Sequence, residues 1–222
     1  MTKKYLSYPF SNTNQPSYGN PNASIKLQQD KCMDSGDSCN VYSFTLSNHW
    51  GTHVDCPSHF FQNAKTILDY PPENWFFKSP FCIDIPTEPA KIINEKDIPK
   101  LPENCDFLIL KTHFCYRRSE EIYSTHNPGL APELGLFLRK NYPNLKAVGF
   151  DFISLSSFQN RNLGREAHKT FLDPNGINDP LFIFEDMDLR MDLTQLVSLQ
   201  TVPLLVEGID SAPVTIIAKF ND

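Results

Sequence analysis

Apolar positions along this chain fall in short runs rather than in long helical stripes. Val41-Tyr-Ser-Phe-Thr-Leu46 alternates with period two and predicts a strand that runs straight into His49. Phe81–Ile85, Phe107–Leu110, Ala147–Phe150 and Val214–Ala218 read as short, largely buried strands. Leu204–Val206 is a further strand candidate. Two segments carry helix punctuation. Ala131–Asn141 has Pro132 in its first turn and Glu133 at the positive end of the dipole, and Pro143 bars continuation. Arg165–Leu172 carries His168 and is ended by Pro174 and Gly176. Asp188–Ser198 is a candidate third helix. Strands interleaved with helices define an α/β class, and the long loops argue against a plain doubly wound sheet.

Residues 8–40 are rich in Asn, Ser, Pro, Gly and Asp and read as loop, with a strand candidate near 24–28. An irregular segment of this length in a compact domain is expected to cover an active site or a partner subunit. No linker or repeat divides the chain. The expectation is one domain over 1–222, with 1–40 as a loop-rich N-terminal segment.

Composition sharpens this picture. The chain has 222 residues, 40% of them hydrophobic, including 17 Phe. A chain of this length buries roughly 70% of its unfolded surface, so a core needs no staples. The net charge is −6, and the densest basic spot is the pair Arg117-Arg118. That argues against a nucleic-acid partner, while a small anionic substrate needs only one cation or a metal. The N-terminus has no apolar run of signal-peptide length, and no stretch approaches a membrane span. The expected location is cytoplasmic, with no membrane partner. The six cysteines contain no C-x-x-C pair and read as reduced thiols.

The chemistry concentrates in His49-Trp-Gly-Thr-His53-Val-Asp55-Cys-Pro-Ser-His59, which holds three of the six histidines. On an extended strand His49 and His53 lie about 13 Å apart, too far to share an ion. His53 and Asp55 share a face only on a strand. The segment must therefore bend near 49–53 and extend over 53–55. Gly51 permits the bend, and Pro57 keeps Cys56 out of the helical region. A His/His/Asp set suits Zn²⁺ best among common ions, with Mn²⁺ and Fe²⁺ as alternatives. If residues 49, 53 and 55 supply three ligands, His59 is free to act as an acid/base. Trp50 and Phe60 are candidates to line an aromatic substrate pocket. Asp151 ends a buried strand; holding a ligand histidine and capping a turn are equal readings for it. Cys56 alternates away from Asp55 and reads as a buried apolar residue.

The motif resembles the H-x-G-T-H-x-D-x-P-x-H signature of the cyclase-like metal hydrolases, a family that includes bacterial kynurenine formamidases and isatin hydrolases. Leu6-Ser7, Gly149-Phe-Asp151 with Ser154–Ser157, Ala167-His168 followed by Glu185, and Ala212-Pro213-Val214 are similar to the family's other segments. The resemblance implies a swivelling β/β/α domain with a mixed sheet core, and a symmetric homodimer or homotetramer. It implies metal ligands at His49, His53, Asp55, His168 and Glu185 for one or two Zn²⁺ ions, with His59 as the acid/base. Two departures stand out. The gap from His168 to Glu185 is longer than usual, and Thr215 replaces the family's C-terminal Arg.

The function expected is metal-dependent hydrolysis of an amide, formamide or lactam C–N bond in a small, aromatic substrate. No G-x-S-x-G elbow is present, which favours attack by water over an acyl-enzyme. A lactone or ester hydrolase and a metal-dependent isomerase or lyase are the neighbouring chemistries. A non-catalytic metal- or carboxylate-binding protein is the alternative of another class.

Overall fold

The structure is a computed structural model that describes residues 1–11, 13 and 15–221. In chain order its strands are β1 (Thr2–Tyr5), β2 (Lys26–Lys31), β3 (Val41–Thr45), β4 (His53–Asp55), β5 (Phe76–Phe77), β6 (Pro80–Asp84), β7 (Ile92–Ile93), β8 (Phe107–Lys111), β9 (Gly129–Leu130), β10 (Ala147–Phe150), β11 (Phe182–Glu185), β12 (Leu196–Pro203) and β13 (Ser211–Phe220). The helices are α1 (Glu121–Thr125), α2 (Pro132–Asn141) and α3 (Arg161–Leu172). The class is mixed α/β, as the alternation of runs predicts.

One large sheet organises the chain in the order β5-β12-β13-β4-β11-β10-β8-β6, with β1 also paired to β13. The β6-β8-β10-β11 part is parallel, and every pairing from β11 through β4, β13 and β12 to β5 is antiparallel. The sheet curls until β12 approaches β6. Strands β8, β10 and β11 are buried on both faces. Leu108, Leu110, Val148, Phe150 and Ile183 pack with Leu134 and Leu138 of α2 and Phe171 of α3. Phe107, Ile109, Ala147 and Phe184 point the other way and pack with Val54, Ala212 and Ile216. This two-sided burial is why these strands read as unbroken apolar runs.

Four sequence expectations change. Asp188–Ser198 is not a helix. Leu189, Leu193 and Leu196 mimic a helical period, but Asp192 accepts bonds from the Thr194 N–H and hydroxyl at 2.9 and 3.0 Å, which fixes a turn before β12. Leu204–Val206 lies past the end of β12 and is exposed. Val41–Thr45 is a strand, yet it pairs only with β2, in a hairpin whose residues are all exposed. Helix α3 begins at Arg161, four residues before the position its punctuation suggests. Among the described residues no helix is long and apolar enough to cross a membrane.

Gly164 marks the close approach that seats α3. A Cβ there would lie 2.1 Å from Ser156 Oγ and 2.6 Å from Ser156 Cα. Gly164→Ala is expected to cost about 1–3 kcal/mol by lifting the helix from the 153–157 loop. Denaturant unfolding of the variant beside the parent checks this.

Candidate metal centre

Strand β4 carries the centre. It lies between β11 and β13, so each of its residues has a neighbour on both sides. Glu185 is opposite His53 across β11, and Pro213 is opposite it across β13. His53 and Asp55 share one face, while Val54 and Cys56 turn into the core with no exposed surface. Burial raises the Cys56 thiol pKa strongly, which leaves it as the inert residue its alternation predicts. The bend ahead of β4 sits at Gly51, whose φ of 65° lies in the left-handed region. It returns His49 to within 3.3 Å of Asp55 Oδ1 through Nδ1. Cys56 is extended (φ −108°, ψ 166°) and Pro57 opens a short turn that carries His59. His168 arrives from α3. The bend and the extension are thus where the spacing requires them, and all six candidate residues (His49, His53, Asp55, His59, His168, Glu185) converge.

The orientation of the buried imidazoles is informative. His53 Nδ1 donates to the Gly51 carbonyl at 2.8 Å, and His168 Nδ1 donates to the Gly164 carbonyl at 2.9 Å. A carbonyl only accepts, so both Nδ1 atoms carry hydrogen and both Nε2 atoms face inward. His53 Nε2 looks at Glu185 Oε2 (3.3 Å) and Asp55 Oδ1 (3.6 Å). His168 Nε2 looks at Glu185 Oε1 (3.7 Å) and Asp55 Oδ2 (3.9 Å). His53 Nε2 and both Asp55 oxygens are buried without a hydrogen-bond partner. Lone pairs of neutral imidazoles turned on carboxylates repel unless a cation sits between them. Two donor sets have their ligand atoms within 4.8 Å of one another: His53, Asp55 and Glu185, and His49, Asp55 and His59. Asp55 belongs to both.

With protons as the only cations, the charges respond as expected. Burial disfavours a charged His53 or His168, but the facing carboxylates outweigh it and raise both pKa values. Burial likewise opposes the charged form of Asp55, yet the surrounding imidazoles hold its pKa well below the carboxylate range. Glu185 is also lowered; burial and Asp55 oppose this, and His168 and His53 prevail. Glu185 is further held by the Leu155 N–H at 2.7 Å.

Asp210 is the residue that sequence reading missed. Its carboxylate contacts His59 Nδ1 at 2.6 Å and His49 Nε2 at 3.6 Å, and Asn48 Nδ2 donates to it at 3.0 Å. It reaches this place because β13 pairs Ser211 with Asp55, so Asp210 lies just beyond and accepts the Cys56 N–H through its carbonyl at 3.0 Å. Burial lowers the His49 pKa, and Asp210 and Asp55 overcome it to raise the group to about 10.

A cavity of about 310 Å³ opens over these groups, walled by Tyr18, Phe60 and Ile153, with Arg161 and Arg165 also facing it. Phe60 stacks on His168 with ring centroids 4.6 Å apart. Tyr18 comes from the 8–40 segment, which therefore contributes to the site. Trp50 is not part of the lining. Asp151 also needs correction. Its Oδ1 accepts the Thr112 N–H at 2.8 Å and the Thr112 hydroxyl at 2.6 Å, so it caps the end of β8 instead of holding a histidine. Behind the centre, Asp186 is fully buried at φ 51° and takes a two-pronged bond from Arg118 at 2.9 and 2.8 Å. The Thr52 hydroxyl donates to the Asp186 carbonyl at 2.6 Å. The residue beside Glu185 is thereby tied to the residue beside His53.

With fold and geometry in hand, the relationships of the chain are clear. The family model described as "Putative cyclase" matches residues 5–157, and the chain belongs to the cyclase family. It is 31% identical over 129 residues to an uncharacterized protein of Haemophilus influenzae, covering 55% of this chain and 91% of that one. It is 26% identical over 215 residues to the kynurenine formamidase of Bacillus thuringiensis subsp. konkukian, covering 96% and 95%. Its fold is that of isatin hydrolase A from Labrenzia aggregata, solved with benzyl benzoate, at a TM-score of 0.80 and 18% identity over 98% of this chain and 93% of that one.

Removing the Asp210 charge is expected to lower the His49 pKa from about 10 while leaving it above the ordinary imidazole value, because Asp55 remains. NMR titration of the imidazoles in metal-stripped Asp210→Asn and parent protein measures this directly.

Proposed function

We propose that the chain is a metal-dependent hydrolase that opens an amide, formamide or lactam C–N bond of a small molecule. The observation that carries this reading is the inward pair of Nε2 lone pairs on His53 and His168, aimed at two buried carboxylates beneath an open cavity. His49, His53, Asp55, His168 and Glu185 would hold the ion or ions, Asp55 being common to both donor sets. The mixed nitrogen and oxygen set suits Zn²⁺, with Mn²⁺ as the alternative. When bound, such an ion acidifies water and polarises a carbonyl. The chain's own groups do the rest. Asp210 fixes His59 through Nδ1 and leaves Nε2 to take a proton from the attacking water and return it to the departing nitrogen. Phe60 and Tyr18 shape the cavity around a flat substrate. The likeness to a kynurenine formamidase along nearly the whole chain supports the C–N bond assignment. A homo-oligomer belongs to the same reading, supported by the uncovered apolar face of the β2–β3 hairpin, where Leu27, Tyr42 and Phe44 are exposed.

The deciding experiment is metal analysis of gently purified protein, followed by assays on N-formyl-kynurenine, isatin and an aryl ester. Bound metal with metal-restored turnover on a C–N substrate is the expected result. Neither metal nor restored turnover on any of the three overturns the reading. His59→Asn should lose about 10²- to 10⁴-fold in kcat with its metal content intact. Glu185→Gln should retain less metal on dialysis; undiminished occupancy would reassign that ligand. Metal uptake displaces the protons that the carboxylates hold on His53 and His168, so affinity should rise from about pH 6 to about pH 8. Isothermal titration at the two pH values reads the sign.

A further inference from the structure

The arginines of this acidic chain are not treated alike. Arg117 pairs with Glu120 at 3.6 Å, Arg118 with Asp186 at 2.8 Å and Arg190 with Asp188 at 2.7 Å. Arg139 spends its guanidinium on the carbonyls of Thr170, Asp173 and Asn178. Arg161 and Arg165 differ. Among the described residues neither pairs with a carboxylate, although acidic residues outnumber basic ones by 26 to 20. Arg161 lies with its guanidinium carbon 3.8 Å from the Phe158 ring centroid, and Arg165 donates through Nη1 to Asn162 Oδ1 at 3.0 Å. Stacking engages the face of a guanidinium and leaves its in-plane donors free.

Both side chains line the cavity of the metal centre. They are four residues apart on α3, and Arg165 is three residues before His168, so all three lie on one stripe of the helix. Their backbone positions stand about 4.5 and 10.5 Å along the axis from His168. Two cations with open donors thus look into a small cavity whose other end is the reacting centre.

We propose that Arg161 and Arg165 form a carboxylate subsite, so that this chain takes a small amide whose far end carries a carboxylate, in preference to a neutral lactam or formamide. This rests on the hydrolase reading for the word amide; the subsite itself does not. A guanidinium fork matches a carboxylate with two parallel bonds, and charge-assisted bonds of this kind discriminate by about 10- to 100-fold.

The test is binding rather than turnover, on the protein as purified. The probes are 3-phenylpropionate and its uncharged isostere 3-phenylpropionamide, measured by calorimetry with the parent and with Arg161→Gln/Arg165→Gln. The expected result is an affinity for the carboxylate at least about tenfold above that for the amide in the parent. In the double variant that preference should collapse to about twofold or less, with amide affinity unchanged. A preference that survives the double substitution places the carboxylate elsewhere and overturns the proposal, as does a parent that does not discriminate. Both positions are exposed, and an unchanged melting temperature certifies the fold. Arg165→Lys, which keeps the charge but not the fork, should retain part of the preference. Failure of the parent to hydrolyse any amide would overturn the proposed reaction and leave this result standing.

Discussion

Two buried imidazoles turned lone pair first toward two buried carboxylates set the conditions for the rest of this molecule. Such an arrangement is unfavourable until a cation occupies its centre, and it persists only where the surroundings over-determine it. Here they do. The Gly51 and Gly164 carbonyls fix the two rings from behind. The registers of β11 and β13 on β4 fix the carboxylates, and the Arg118–Asp186–Thr52 ties hold the two strands' ends together. Loops alone could not hold two imidazoles and two carboxylates at these distances; a central strand paired on both sides anchors them.

The division of labour follows from this. The sheet supplies the groups that must not move: His53 and Asp55 from β4, Glu185 from β11, and Asp210 just ahead of β13. The elements that need less rigidity supply the rest. His59 sits on a short turn, Tyr18 on the irregular N-terminal segment, and the arginine pair on the first turns of α3. His53, Asp55 and Glu185 are buried, Asp210 is half-buried, and the groups placed to meet a substrate are partly or fully exposed. This is the distribution expected when a rigid scaffold positions variable walls.

How much of this the sequence discloses depends on the range of the interaction. The bend and extension of residues 49–59 follow from local geometry, because only one path lets His49, His53 and Asp55 meet. His168 and Glu185 are visible through the family resemblance. Asp210 is not visible either way. In Glu207-Gly208-Ile209-Asp210 it looks like a turn acid, and its role arises from a strand register linking it to residues about 150 positions earlier. The error over Asp188–Ser198 has a related cause. Leucines spaced for a helix were overruled by one turn and by pairing with β13. The β2–β3 hairpin shows the opposite limit: alternation announces the strand but says nothing of what it pairs with.

Strand β4 bears its chemistry on one face and hydrophobic core on the other. Val54 is sealed between Phe184 and Ala212 while the residues beside it face the centre. The two ligands on this strand, His53 and Asp55, therefore have no hinge of their own, and they cannot loosen while the core beneath them stays packed. Durability of the centre and durability of the fold become a single quantity. A substitution deep in the apolar layer, remote from any substrate, would register first as a poorer grip on the ion.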